Sequence, residues 1–167
     1  MDSRQLEKAI LRDPCLSTLK HIDVLAADEL SLIKQNGAYV INTDPRRKPG
    51  QHWIAVYANE NGIVEVFDPL GYPPDHYPYM KDYWRRNKNF TFNAKRWQPP
   101  GTSTCGQFCL FYLFHKCRSW TLNDMSGFYW TVNLMELNNL VLKFVANYLC
   151  VPCRCKTGKY QRACSCV

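Results

Sequence analysis

The segment Cys105–Cys117 (CGQFCLFYLFHKC) constrains the fold most, because it is apolar on nearly every side. A helix with apolar side chains all round its axis must be covered all round by other elements. The preceding loop contains two prolines and a glycine, so the helix is predicted to begin at Cys105. It is too short to span a bilayer. The sequence therefore predicts a buried central helix inside a layered domain.

Two β-rich segments are predicted to form a hairpin. Residues 52–57 (HWIAVY) and 63–68 (IVEVFD) alternate apolar and polar positions on either side of an Asn-Gly turn at residues 59–62. Asn-Gly tolerates the positive φ that such turns require. The pairing places His52 and Asp68 near the open end of the hairpin. Two further segments are predicted to be strands, namely residues 38–43 and 90–97.

Helical patterns occur in three other parts of the chain. Asp2 and Gln5 have the spacing of a capping box, and the helix that follows is predicted to stop at residues 13–14, Asp-Pro. A short helix is predicted to end near Asn87. A longer helix is predicted over residues 131–149, with an amphipathic stripe made of Leu134, Leu137, Val141, Phe144, Val145 and Tyr148.

The composition divides the chain into a body and a tail. Of its 167 residues, 46% are hydrophobic and 21% charged, which excludes disordered, collagenous and coiled-coil proteins. Residues 150–167 contain five cysteines, four basic residues and no acid. We therefore expect one domain over residues 1–149 and a separate cysteine-rich tail over residues 150–167. The net charge of +7 favours an acidic partner such as DNA.

Whether the cysteines are reduced or form disulfides depends on the cellular compartment of the protein. Residues 1–10 lack the apolar core of a secretory signal, so we expect an intracellular protein, not secreted, whose thiols are mostly reduced. Cys109 and Cys117 lie in the apolar segment and are predicted to pack in the core, while Cys15 has no assigned role. We expect no metal site. The weak alternative is zinc held by four cysteines of the tail, namely Cys150, Cys153, Cys164 and Cys166.

Four residues have the types and positions that thiol chemistry needs. Cys105 is predicted at a helix N-terminus, which stabilises a thiolate and directs free backbone N–H groups at a bound carbonyl. His52 and Asp68, at the ends of paired strands, can supply a base and the carboxylate that orients it. Gln98 lies in the loop that leads to Cys105. Each residue alone is a weak signal, since a single histidine or glutamine is more often structural.

Together these residues resemble the adenovirus protease (adenain) family of cysteine endopeptidases, which includes homologues from Maverick or Polinton-type transposons and related viruses. The matching motifs are residues 50–55 (GQHWIA), residues 66–71 (VFDPLG), and Gln98 followed seven positions later by the cysteine of TCGQFC (104–109). The resemblance extends over most of the body and leaves the tail outside.

The resemblance implies an α+β fold, in which a mixed β-sheet carrying the histidine and the acid packs on the central helix that begins at the nucleophile. It implies that Cys105 is the nucleophile, His52 the general base and Asp68 the orienting carboxylate. Gln98 would donate to the oxyanion together with the backbone N–H of Cys105.

The resemblance also implies a substrate cleft and partners. Trp53 would form a wall of the cleft, and Gly50, Gly106 and Thr104 are the other expected substrate-binding residues. The expected substrates are structural precursor proteins of a virus or virus-like transposon, cleaved near glycine, in the host nucleus or the virion. No cofactor is required for the chemistry, DNA or a peptide is a candidate activator, and the protein is expected to be a monomer. The cysteine that tethers the peptide in adenoviral enzymes is missing, because no cysteine occurs between Cys15 and Cys105.

Two other functions remain open from the sequence. Proteases for ubiquitin-like modifiers share the order of the motifs, although they usually carry an acid before the nucleophile, where this chain has Thr104. The second alternative is a basic DNA-binding or zinc-binding module whose protease core is secondary, and it is motivated by the charge and the tail.

Overall fold

The computed structural model describes residues 1–129 and 131–149, so the predicted tail and its proposed zinc ligands lie outside the described residues. A five-stranded mixed sheet has the strand order β1-β2-β3-β4-β5. The strands are β1 (His21–Leu25), β2 (Gly37–Asn42), β3 (Trp53–Ala58), β4 (Val64–Phe67) and β5 (Phe90–Phe92). The helices are α1 (Ser3–Arg12), α2 (Lys81–Arg86), α3 (Cys105–Cys117), α4 (Leu122–Tyr129) and α5 (Leu134–Phe144).

The predicted hairpin is confirmed as β3 and β4, which pair antiparallel. β2 joins the other side of β3 antiparallel, while the two edge strands, β1 and β5, run parallel to their neighbours. His52 directly precedes β3 and Asp68 directly follows β4, so the antiparallel pairing brings both residues to one end of the sheet. The pairing of β3 and β4 is therefore sufficient to bring these two residues close together, without help from the loops.

Each central strand contributes side chains to a core on either face of the sheet. In β2, Ala38 and Val40 face the core that contains α3, while Tyr39 and Ile41 face a second core that contains Trp84 of α2. This alternation follows from the period of two along a strand. Burying both faces explains why the residues of β2 are almost all apolar.

The central helix α3 is buried as predicted, with eight of its thirteen residues inaccessible. Two polar contacts fix it to β4: the Tyr112 hydroxyl donates to Glu65 (2.7 Å), and Lys116 forms an ion pair with the same carboxylate (2.9 Å). These contacts, with the apolar packing around the helix, set the position of its N-terminus at Cys105.

The opening helix α1 carries the predicted capping box. The N–H of Gln5 donates to the Asp2 side chain (2.8 Å), and the Gln5 side chain accepts from the Asp2 N–H (2.9 Å). Its apolar stripe, which includes Leu6 and Ile10, packs into the same core as α3. The beginning of α1 consequently lies beside the beginning of α3.

A disulfide joins Cys15, just after α1, to Cys117 at the end of α3. The prediction of a reduced, packing role for Cys117 is therefore wrong. The physical reason is that the turn after α1 brings Cys15 to the end of α3, with 6.0 Å between the Cα atoms. Asp13 and Arg118 form an ion pair of 3.0 Å close to the disulfide.

Two element predictions differ from the structure, and two elements had no prediction. The strand predicted over residues 90–97 ends at Phe92, because Asn93 leaves the sheet to hydrogen-bond the backbone of Asp68. The helix predicted over residues 131–149 begins at Leu134, where Asn133 is the N-cap. It is α-helical to Phe144 and continues as a π-helical turn over Val145–Leu149. β1 and α4 were not predicted. No helix of the described residues has the length and apolarity needed to cross a membrane.

Candidate active site

His52 and Asp68 are in direct contact at the end of the sheet. Nε2 of His52 lies 2.7 Å from Oδ1 of Asp68, and both side chains are buried. Because Nε2 is engaged by the carboxylate, the other ring nitrogen, Nδ1, is left for Cys105, and each of the two groups shifts the pKa of the other. The carboxylate and the imidazole are therefore hydrogen-bonded, and the thiol lies in the same cavity as the imidazole.

The Asp68 carboxylate accepts several hydrogen bonds besides that of His52. Oδ1 accepts from the Leu70 N–H (2.7 Å), and Oδ2 accepts from the Tyr77 hydroxyl (2.6 Å) and the Tyr72 N–H (3.2 Å). The Asn93 side chain bonds both the N–H and the C=O of Asp68 (2.7 Å each). These bonds fix the carboxylate in one orientation toward His52.

The charge of Asp68 changes the titration of His52. Burial by itself would lower the pKa of the imidazole, but its hydrogen bonds with Asp68 and Cys105 and the negative charges of both groups raise the pKa to about 9. Imidazolium is therefore the favoured form of His52 near neutral pH.

The two free cysteines of α3 titrate in opposite directions. Burial would raise the pKa of Cys105, yet the hydrogen bond and charge of His52, together with the backbone N–H groups of Trp53 and Gly106, lower it below its ordinary value. Burial and the negative charge of Cys105 raise the pKa of Cys109 well above its ordinary value. Cys105 thus has the thiolate character of a nucleophile, and Cys109 does not.

Gln98 lies next to Cys105 in the same cleft and is almost fully buried. Its backbone N–H donates to the Pro69 carbonyl (2.9 Å), which ties its loop to the turn after Asp68. Its side-chain amide donates one hydrogen bond, to the Thr102 carbonyl, and Oε1 has no partner among the described residues. An amide nitrogen carries two N–H groups, so one remains for a ligand.

Cys105 lies between two cavities. One, of about 390 Å³, is lined by residues that include Trp53, Gly50 and Met1. The other, of about 520 Å³, is lined by residues that include His52 and Gln98. An extended chain that passes over Cys105 would occupy both cavities. The two cavities together form a cleft, and the Cys105 thiol lies where they meet.

The residues predicted to bind substrate occupy different positions. Trp53 and Gly50 line the first cavity, and the Trp53 indole N–H donates to the Met1 carbonyl (3.2 Å). Gly106 is buried, and a Cβ there would lie 3.3 Å from Met1 Cβ, so it faces the protein's own N-terminus. Thr104 lines neither of the two cavities, and its hydroxyl donates to Asn138 Oδ1 (2.7 Å).

Two contributors to the site were not predicted from the sequence. Tyr77 donates to Asp68 and stacks on the His52 ring, with 5.8 Å between the ring centres. Asn93 holds the backbone of Asp68. Both belong to segments without periodicity, and the only available signal was the tyrosine-rich and proline-rich composition around Tyr77.

The described residues contain no group of three or more His, Cys, Asp or Glu side chains that could hold a metal ion. His115, which is buried, bonds the Phe111 carbonyl through Nδ1 (2.8 Å) and the Tyr129 hydroxyl through Nε2 (3.1 Å). Both of its ring nitrogens are therefore used inside the core, and this histidine is structural.

Comparison with known proteins gives two relatives. The chain is 32% identical over 98 residues to the protease of bovine adenovirus 7, covering 48% of this chain and 48% of that protein. It is 29% identical over 101 residues to the protease of bovine adenovirus 4, covering 51% and 50%. The chain thus spans about half the length of each of these relatives.

A search of solved structures finds the crystal structure of the selenomethionine ASFV pS273R protease, with a TM-score of 0.37 and 21% identity, covering 65% of this chain and 42% of that one. No family model matches the chain. The two sequence alignments confirm the resemblance that the motifs indicate: over about half of its length the chain is similar to adenovirus proteases.

Proposed function

We propose that the protein is a cysteine endopeptidase. The observation that supports this most is the direct contact between Asp68 and His52, beside a cavity that His52 and Cys105 both line, with Cys105 at the N-terminus of the buried helix α3. A lowered thiol pKa and a raised imidazole pKa together favour a thiolate and imidazolium pair at neutral pH, which is the resting state of an activated cysteine.

In the proposed reaction, the Cys105 thiolate attacks the carbonyl carbon of the scissile peptide bond. The developing oxyanion accepts hydrogen bonds from the free N–H of the Gln98 amide and from the Cys105 backbone N–H, which is in the first turn of α3 and so has no partner within the helix. His52 then donates its proton to the leaving amine. Water, deprotonated by His52, adds to the acyl carbon of the thioester and the C–S bond breaks, which releases the acyl side as a carboxylic acid and restores the Cys105 thiolate beside the His52 imidazolium.

The proposed substrates are proteins, as the name protease of the two relatives suggests. We propose cleavage next to glycine in structural precursors of a virus or virus-like element, because the bulky side chain of Trp53 lines the cleft beside Cys105 and favours a residue without a side chain there. DNA is proposed as an activator on account of the net charge of +7.

Cleavage of a peptide library that includes glycine-containing sequences, with and without DNA, tests the proposal. We expect glycine-containing peptides to be cleaved and Cys105→Ala to remove all measurable cleavage. The matched control is Cys109→Ala, in the same helix, which should retain most of the activity because this thiol has a raised pKa.

Two outcomes would contradict the proposal. One is the absence of cleavage of any peptide with or without DNA. The other is cleavage that persists in Cys105→Ala. Reaction of Cys105 with ubiquitin-like probes, without cleavage of free peptides, would instead indicate a deconjugating protease.

A further inference from the structure

The two cavities beside Cys105 can be assigned to the two sides of a scissile bond. The group that protonates the leaving amine must lie on the leaving-group side of the thiol. His52 lines the larger cavity and does not line the smaller one. The larger cavity, with Gln98 on its wall, is therefore the leaving-group side, and the cavity lined by Trp53 receives the acyl side.

The leaving-group cavity contains one formal cation besides the catalytic pair. Apart from His52 and Cys105, the described residues that line it are Leu70 and aromatic, proline, glycine and uncharged polar residues, with Arg96 as the sole permanently charged side chain among them. None of the lining residues within 1–129 and 131–149 is acidic. A ligand residue that enters it therefore meets the positive charge of Arg96, while the nearby Asp68 carboxylate is engaged by His52, Tyr72 and Tyr77.

Arg96 is half-buried and has no ion pair or side-chain hydrogen bond within the described residues. Its backbone position is set by close packing: a Cβ on Gly71 would lie 2.8 Å from the Arg96 nitrogen. The next two residues, Trp97 and Gln98, both donate their N–H groups to the Pro69 carbonyl (2.9 Å each). The backbone that carries the guanidinium is thus fixed while its charge stays unpaired.

The acyl-side cavity differs in charge. Arg46 there is already paired with Glu29, and Lys48 is bonded to the Tyr79 hydroxyl. Asp2 and Asp44 also line that cavity, so it contains both signs of charge. Arg96, by contrast, has no ionic partner among the described residues. The leaving-group side of the cleft therefore carries an unpaired positive charge, and the acyl side carries charges of both signs.

We propose that Arg96 is a specificity-determining residue, which selects substrates with an acidic side chain at the first or second position after the scissile bond. The inference rests on the proposed peptidase function. An incoming aspartate or glutamate would form a charge-assisted hydrogen bond with the guanidinium, in a cavity walled partly by aromatic and proline side chains.

Four matched peptides test the inference. Each has the same glycine-containing acyl side and carries Glu, Gln or Lys at the first position after the scissile bond, or Glu at the second. For the wild-type protein we expect kcat/KM to be about threefold to fivefold higher for Glu, at either position, than for Lys at low ionic strength. The difference should shrink as salt is raised to about 0.5 M, because screening weakens partly exposed ion pairs.

Charge reversal sharpens the test. Arg96→Glu should reverse the preference, so that the Lys peptide becomes the better substrate, and Arg96→Gln should abolish it. The control, Arg86→Glu, changes the net charge equally but lies on a different cavity and should keep the wild-type preference.

Equal kcat/KM for the Glu and Lys peptides, with cleavage that depends on Cys105, would overturn the inference and leave the proposed function intact. Failure to cleave any peptide would overturn both. If the Arg96 variants do not fold, the inference is tested by the wild-type protein alone. A preference for the Glu peptide over the Lys peptide that does not change with salt would then contradict a charge effect.

Discussion

The Asp68 carboxylate accepts hydrogen bonds from several groups besides His52. His52 and the Leu70 N–H contact one carboxylate oxygen, and Tyr77 and the Tyr72 N–H contact the other. A carboxylate with both oxygens engaged stays in place next to His52, where first its hydrogen bond and then its charge raise the pKa of His52 against the effect of burial.

Asp68→Asn should change the pH dependence of the thiol. In the wild-type protein the thiolate and imidazolium pair exists between the lowered pKa of Cys105 and the pKa of His52, which is about 9. Without the carboxylate the imidazolium loses its stabilisation. The pKa of His52 should then fall and that of Cys105 rise, and kcat should drop by a factor on the order of 10²–10⁴.

The measurement is the rate of Cys105 alkylation by iodoacetamide from pH 4 to pH 10, together with the pH profile of kcat/KM. The variant should shift the alkylation curve to higher pH and the alkaline limb of activity to lower pH. Asp82→Asn, an exposed residue of α2, is the control and should shift neither curve. Unchanged curves in Asp68→Asn would contradict the assigned role of the carboxylate.

At the scale of single residues, the sequence indicated His52, Asp68, Gln98 and Cys105, because each occurs in a short motif next to a predicted element. It did not indicate Tyr77 or Asn93. Their roles depend on loops that fold back on Asp68 over distances of 9 and 25 residues, and neither position has a periodic pattern. Such contacts follow from tertiary packing, which local sequence does not encode.

At the scale of elements, strong local signals gave correct predictions. The capping box of α1, the Asn-Gly hairpin of β3 and β4, and the apolar helix α3 each have a defined local cause. β1 was missed because its sequence, HIDVL, contains a histidine and an aspartate and gains its stability by parallel pairing with β2. α4 was missed because it is short and contains Gly127.

Two glycines with positive φ allow a matched test of how the loops hold the site. Gly71 has φ 77° and Gly101 has φ 75°, but a Cβ on Gly71 would lie 2.7 Å from the Lys95 backbone, while a Cβ on Gly101 would meet nothing within 4 Å. Gly101→Ala should therefore cost only backbone strain, about 1–2 kcal/mol in the free energy of unfolding.

Gly71→Ala should cost about 1–3 kcal/mol more, because it also overpacks the contact between the turn after Asp68 and the loop that carries Gln98. Urea unfolding of the two variants measures the difference. Equal losses of stability in both variants would show that this close approach does not exist in solution.

At the scale of the whole molecule, the disulfide between Cys15 and Cys117 joins residues 102 positions apart. Cross-linking a loop of that length restricts the unfolded chain strongly. We expect Cys15→Ser/Cys117→Ser to lower the free energy of unfolding by about 4–5 kcal/mol relative to the oxidised wild type, as chain entropy implies.

Urea unfolding with and without dithiothreitol checks this expectation. Reductant should destabilise the wild type and leave the double variant unchanged, which separates the disulfide from other effects of reductant. A wild type that is as stable with reductant as without it would show that the disulfide does not stabilise the domain.

The disulfide also determines how the molecule responds to backbone cleavage. His52, Asp68, Gln98 and Cys105 all lie in the sequence between Cys15 and Cys117. A single cut anywhere in that span leaves two fragments that remain covalently joined. For a chain proposed to cut peptide bonds, self-cleavage in an exposed loop would then produce a nicked molecule, with both halves of its own active site still attached, instead of two separated pieces.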